Sequence, residues 1–225
     1  MPSWVEPVWR YILTEGLPAT LLISAISVVG SALIGLVLGT LLTIEWRPSR
    51  LLIRFYIEVF RGLPILVTVF IVYFGLPSVD PALEFGAIAA TSIALTLWGS
   101  AQVAEATRGA VQSIPREQHE AAAALGFGWV GRHRSVILPQ AYRRLLPPGV
   151  SLLVNIIQNS TLAQVIGGLE MLEAAERQNE RITAIPPIGL GEIKAFQIFG
   201  FVMVLFFLIS FPLTRLAARL EKRLV

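Results

Sequence analysis

The chain has no cysteine, two histidines and only 15% charged residues among its 225 positions, and each shortage removes a class of function. Without cysteine there are no disulfides and no thiolate metal sites. His119 and His133 stand without acidic or cysteine neighbours at ligand spacing, so no metal is expected. The only lysines, Lys194 and Lys222, follow Ile193 and Glu221. Neither completes the Gly-Lys-Ser/Thr that reaches nucleotide phosphates, so the chain cannot supply such an ATP site itself. No catalytic constellation is visible, and the chain is not expected to be an enzyme. The charged fraction is well below the roughly 25% of soluble domains.

What is abundant is apolar. Hydrophobic residues make up 55% of the chain and mean hydropathy is +0.69. They fall in long blocks rather than on periodic faces. The expected spans are about 17–44, 51–76, 85–110, 145–166 and 194–216, several of them near the roughly 20 residues a bilayer requires. The second is the least clean, because Arg54, Glu58 and Arg61 interrupt its first half. Its Arg61-Gly62-Leu63-Pro64 reads as a kinked helix entry, since Gly and Pro break the backbone ladder. The first block, after a short flank holding Arg10, Glu6 and Glu15, is too long for a signal-peptide core and reads as a retained helix. The expectation is an all-α membrane protein of about five transmembrane helices in one domain, 1–225.

Charge sets the orientation. With an external N-terminus and a cytoplasmic C-terminus, only Arg10, Arg177, Arg181 and Lys194 of the 18 basic residues lie outside. Such a bias is what the positive-inside rule demands. The sequence pI near 9.7 then reflects topology and calls for no nucleic-acid partner. The reading places 1–16 outside as a stub, the turn around Pro48 inside, and the long basic loop 112–140 inside. The outer segment 167–192 carries a surface helix with Glu173 and Arg177 at i,i+4, ended by Pro186 and Pro187. Five spans without an internal repeat do not give two matching halves, so a transport route is expected between two such chains.

Within the basic loop, Glu120-Ala121-Ala122 is followed after three residues by Gly126, and nine residues later by Val136-Ile137-Leu138-Pro139. Ala and Leu favour a short helix from Glu120 to Leu125, and Gly126 supplies a left-handed stop. The pattern resembles the EAA loop of ABC-importer permeases, with Val136 at an Ile position. Tyr56–Leu66, Ala101–Pro115, the Ile137–Arg143 stretch and the closing Arg-Leu-Glu-Lys-Arg-Leu are similar to the polar amino-acid, histidine/glutamine-type permeases in order and spacing.

That resemblance implies a type I ABC-importer permease fold in a bacterial cytoplasmic (inner) membrane. It assigns ATPase coupling to Glu120, Ala121, Ala122, Leu125, Gly126 and Phe127. It implies separate ABC ATPase subunits that bind the ATP and magnesium, a second permease chain, an extracytoplasmic substrate-binding protein and membrane lipid as partners, with no cofactor in this chain. A heterodimer of permeases is favoured over a homodimer, because the family's Lys-Asp pair corresponds here to Gln158-Asn159. Trp98, Gln102, Glu105, Gln158, Asn159 and Thr161 are the candidate substrate-pathway residues. Three of them have a plainer reading: Glu105 pairs with Arg108 at i,i+3, and the Gln158 and Asn159 amides bond between helices. Asn155, Gln158 and Asn159 can share one helix face. The alternatives to an ATP-driven importer of polar amino acids are an ATP-independent transporter or channel, and a membrane scaffold without transport.

Overall fold

A computed structural model of the chain describes residues 4–43, 47–183 and 191–224. Pro186 and Pro187 lie outside the described residues, as does part of the turn around Pro48. The described residues are mostly helical, with no strand among them. Besides the short 3₁₀ turn Pro81–Leu83, the described residues form eight helical segments: α1 Val5–Leu41, α2 Arg47–Gly62, α3 Ile65–Val79, α4 Ala87–Gln112, α5 Arg116–Ala124, α6 Trp129–Ile166, α7 Met171–Thr183 and α8 Gly191–Leu224.

Among the described residues, four helices are individually long and apolar enough to cross a membrane: α1, α4, α6 and residues Lys194–Lys222 of α8. α2 and α3 reach that standard only as a bent pair, which counts as a fifth span if the pair crosses as one. The break falls at Leu63-Pro64, where proline has no N–H for the ladder. This is the kinked entry expected from Gly62 and Pro64. α1 begins at Val5, so the segment read as a stub is mostly helix. Its residues Val8 and Ile12 are buried and hold it to α7 and α8. α6 likewise begins at Trp129, well before 145, and runs through Pro147 and Pro148. Much of the loop 112–140 is therefore helix.

The chain forms two compact units, each assembled from three stretches. The first comprises Met1–Val28, Pro64–Thr96 and Asn155–Pro212. Val8, Ile12, Met171, Ala174, Ala175, Ile198 and Val202 form its main core. Trp9 stacks on Phe201 with ring centroids 4.4 Å apart. Gly16 lies in a π-helical turn of α1, and a Cβ there would sit 2.8 Å from the Met171 Cα. A single wide turn thus lets α1 approach the start of α7 closely.

The second unit comprises Val29–Leu63, Leu97–Val154 and Leu213–Val225. Its packing depends on two glycines one helical turn apart. A Cβ on Gly35 would lie 2.5 Å from the Val103 Cβ, and one on Gly39 2.5 Å from the Ala104 carbonyl oxygen. Backbones approach this closely only where side chains are absent, and in lipid such contact substitutes for hydrophobic driving force. Leu42, Ile53, Ile57, Ala101 and Ala104 form one core of this unit, and Ala110, Val111, Ile114, Ile137, Ala141 and Leu145 another.

Candidate functional site

α5 starts at Arg116, directly after Pro115, four residues earlier than Glu120. Proline fixes its own φ and ends the preceding ladder, while Arg, Glu and Gln at 116–118 favour helix. Glu117 is the first-turn acid; Glu120 sits one turn in and pairs with Arg116 at 3.0 Å. The C-terminus is closed as the glycine predicts. Gly126 has φ +82°, its N–H donates to the Ala123 carbonyl at 2.9 Å, and the Phe127 N–H donates to the Ala122 carbonyl at 3.1 Å. This is a Schellman closure, which redirects the chain within two residues. Ala122 is buried and anchors α5, whereas Ala121 and Ala124 are exposed. Beyond the stop, Leu125 is 79% exposed and Val130 68%, with Phe127 beside them. The loop therefore ends in an apolar surface held on a rigid turn.

Of the pathway candidates, Trp98, Gln102 and Glu105 share one face of α4 at i, i+4 and i+7 and are all half-buried. Gln102 and Glu105 line a cavity with Arg61, Pro148 and Ser151. The Arg108 Nε donates to Glu105 Oε2 at 3.0 Å, and Arg61 Nη1 lies 3.8 Å from Glu105 Oε1. The carboxylate is thus held between two guanidinium groups, one from α2 and one from its own helix. The i,i+3 pairing is present, and the same group borders a cavity.

Gln158, Asn159 and Thr161 belong to the first unit, and Glu105 to the second. Asn159 Nδ2 donates to the Asn155 carbonyl at 2.8 Å, and Thr161 Oγ1 donates to the Gln158 carbonyl at 2.9 Å. These are bonds within one helix rather than between helices. The helix narrows to 3₁₀ over Ser160–Ile166 and stops at Gly167, with φ +77°. Gln158 and Asn155 are exposed. Among the described residues, no group of three or more His, Cys, Asp or Glu side chains gathers to hold a metal.

Glu170 carried no signal in the sequence. It is fully buried and caps α7, accepting from the Leu172 and Glu173 N–H groups at 2.9 Å each. Thr20 of α1 donates to the same carboxylate at 3.5 Å and accepts from the Met171 N–H at 3.1 Å. Glutamate is not among the favoured N-cap residues, which is why the cap was not read. Burial raises its pKa above the ordinary carboxylate value, and the backbone donors oppose that shift. Gly35 and Gly39 went unread as well, although their spacing of four was there to find.

Residues 31–225 match the family described as the binding-protein-dependent transport system inner membrane component. A glutamine transport system permease protein of Escherichia coli (strain K12) is 35% identical over 95% of this chain and 93% of its own length. A probable glutamine ABC transporter permease protein of Bacillus subtilis (strain 168) is 31% identical over 93% and 92%. Among solved structures, an amino acid ABC transporter with histidines superposes with a TM-score of 0.81 at 27% identity, over 99% of both chains. The inward-facing methionine ABC transporter shares the fold at 21% identity, with a TM-score of 0.72 over 93% of this chain and 96% of that one. The chain belongs to the family of inner membrane components of binding-protein-dependent transport systems, the permease chains of ABC transporters.

Proposed function

We propose that the chain is the permease subunit of an ATP-driven importer for polar amino acids, with glutamine the first substrate to try. It would line the route together with a second, different permease chain. The observation that carries the proposal is the exposed apolar end of α5. Leu125, Phe127 and Val130 stand in solvent on a turn fixed by Gly126, beside an anchored Ala122. A surface of this kind suits a cleft on a separate ATPase subunit. That subunit would bind ATP and magnesium, and its closure would move α5 as a lever through the hydrogen-bonded Schellman turn.

In this reading, the polar face of α4 contributes Trp98, Gln102 and Glu105 to the route. Glu105 keeps its charge through Arg61 and Arg108 rather than through the substrate. Gln158 and Asn159 offer amides but no fixed charge for an amino acid's α-groups, so a charged clamp would come from the partner permease. An external binding protein would deliver the substrate, and the assembly would reside in a bacterial cytoplasmic membrane. The N-terminus would face outward, as the basic residues require.

The test is site-specific cross-linking. A photoreactive side chain at Leu125 is expected to capture the ATPase subunit in the assembled transporter, and one at Leu51 is not. Equal capture from both positions, or none from Leu125 in a complex that contains the ATPase, would remove the docking assignment. Uptake assays with labelled amino acids would then set the substrate.

A further inference from the structure

The second unit holds a basic pocket of about 560 Å³ beside α5, in whose wall Leu125, Phe127 and Val130 take no part. Arg50 and Arg54 of α2, Arg108 of α4, Arg116 of α5 and Arg132 of α6 line it, against Glu120 as the one acid in the wall. Glu120 is committed to Arg116, and Arg108 to Glu105, which stands outside this wall. Among the described residues neither Arg54 nor Arg132 forms an ion pair, although Arg54 lies within electrostatic reach of Glu105. Gathering guanidinium groups from four helices costs free energy unless an anion joins them.

Two further groups in the wall lack acceptors. The indole Nε1 of Trp129 and the Nε of Arg132 are buried, and neither has a hydrogen-bond partner among the described residues. Both are closed to solvent in this conformation, so an oxygen would reach them after a change of side-chain rotamer. His119, also in the wall, has its pKa lowered by burial and then by the charge of Arg132. The local field is positive: the acceptor oxygens of the wall that are engaged serve Arg116 and Arg108, while the Arg132 Nε and the Trp129 indole have none.

Position selects the anion. The pocket takes Leu42 and Thr43 from just beyond the end of α1, Gln112 from the end of α4 and Trp129 from the start of α6. It therefore opens where apolar spans finish. On α2, the residues next to Arg50 and Arg54 are Leu51, Leu52 and Phe55, about 70% exposed. Charged donors beside an exposed apolar face at the end of a span match a phosphate with chains attached better than a carboxylate. Guanidinium forks bind phosphate oxygens in pairs, and basic pockets between transmembrane helices hold anionic headgroups.

We propose that this pocket binds a phosphate group, as an anionic phospholipid headgroup or as free phosphate, through Arg54 and Arg132. Because α5 contributes Arg116, His119 and Glu120 to the wall, an occupied site would tie the loop helix to α2 and α6. Binding here does not depend on α5 docking an ATPase, and its readout is independent of transport.

The experiment uses the purified transporter with all its subunits. Native mass spectrometry counts retained phosphatidylglycerol, with phosphatidylcholine as the neutral control, and equilibrium dialysis measures labelled inorganic phosphate. Arg54→Gln and Arg132→Gln are each expected to weaken binding by about tenfold, the usual loss of one charge-assisted contact. Arg134→Gln removes the same charge two residues away, outside the wall, and is expected to change binding less than about twofold. Retention of phosphatidylglycerol alone assigns the lipid, and retention of inorganic phosphate assigns the free anion; either supports the site. Equal loss in Arg134→Gln would reduce the effect to surface charge and overturn it. So would the absence of both ligands from the assembled wild-type transporter while the isolated permease binds them, because the ATPase would then fill the pocket.

Discussion

Glu105 and Glu170 show two ways of keeping a carboxylate inside a largely apolar chain. Glu105 borders a cavity and is held by Arg61 and Arg108. Replacing it with Gln leaves two cations without their counter-charge. Because the group is part-exposed, the expected loss is about 1 kcal/mol, read as a fall in unfolding temperature in detergent. Glu170 is buried against backbone donors, and its folded pKa is raised. The folded chain therefore holds a proton at a pH where the unfolded chain has released it. Stability from this group is fully present below the ordinary value of 4.5 and declines as pH rises toward the folded value. Glu170→Gln is expected to flatten that decline, and thermal unfolding of both forms across this range checks it. An unchanged slope would exclude Glu170 as its source. Glu120 contrasts with both: it is exposed and one turn into α5, so Glu120→Ala should cost only a few tenths of a kcal/mol, about one surface i,i+4 pair.

At the scale of helices, the glycines divide into those that set contact and those that do not. A side chain on Gly35 or Gly39 would enter the backbone or Cβ atoms of α4 at 2.5 Å. Gly39→Val is expected to cost about 1–3 kcal/mol or more through overpacking and to lower the yield of folded protein. Gly200 in α8 meets nothing within 4 Å, and Gly200→Ala should stabilise by about 0.5–1 kcal/mol through helix propensity. Unfolding temperatures of the two variants should therefore move in opposite directions. Much at this scale was legible in the sequence, for physical reasons. Gly126 and Pro64 act through their own backbone, and Glu173 pairs with Arg177 within one turn, so each is readable locally. The start of α1 was missed because Val8 and Ile12 gain their burial from α7 and α8, more than 150 residues away. The amides at 158 and 159 were read as bonding between helices, yet Asn159 bonds to the Asn155 carbonyl of its own helix, which changes to 3₁₀ directly after it. The basic pocket was unreadable, since its arginines come from four helices.

At the scale of the whole molecule, orientation and coupling each have a direct test. The natural absence of cysteine makes every single-cysteine variant directly interpretable. A thiol reagent that does not cross the membrane should label a cysteine at Ser78 from outside and miss one at Ser113; reversed labelling would invert the assigned topology. In the proposed transporter, α5, stopped by Gly126, transmits the ATPase cycle to this chain. The most direct measurement of that coupling is substrate uptake per ATP hydrolysed, in vesicles holding the complete transporter. Gly126→Val places a β-branched residue at φ +82° and should lower that ratio by about tenfold, with membrane insertion and ATPase content unchanged. An unchanged ratio, in a complex shown to contain the ATPase, would contradict the account.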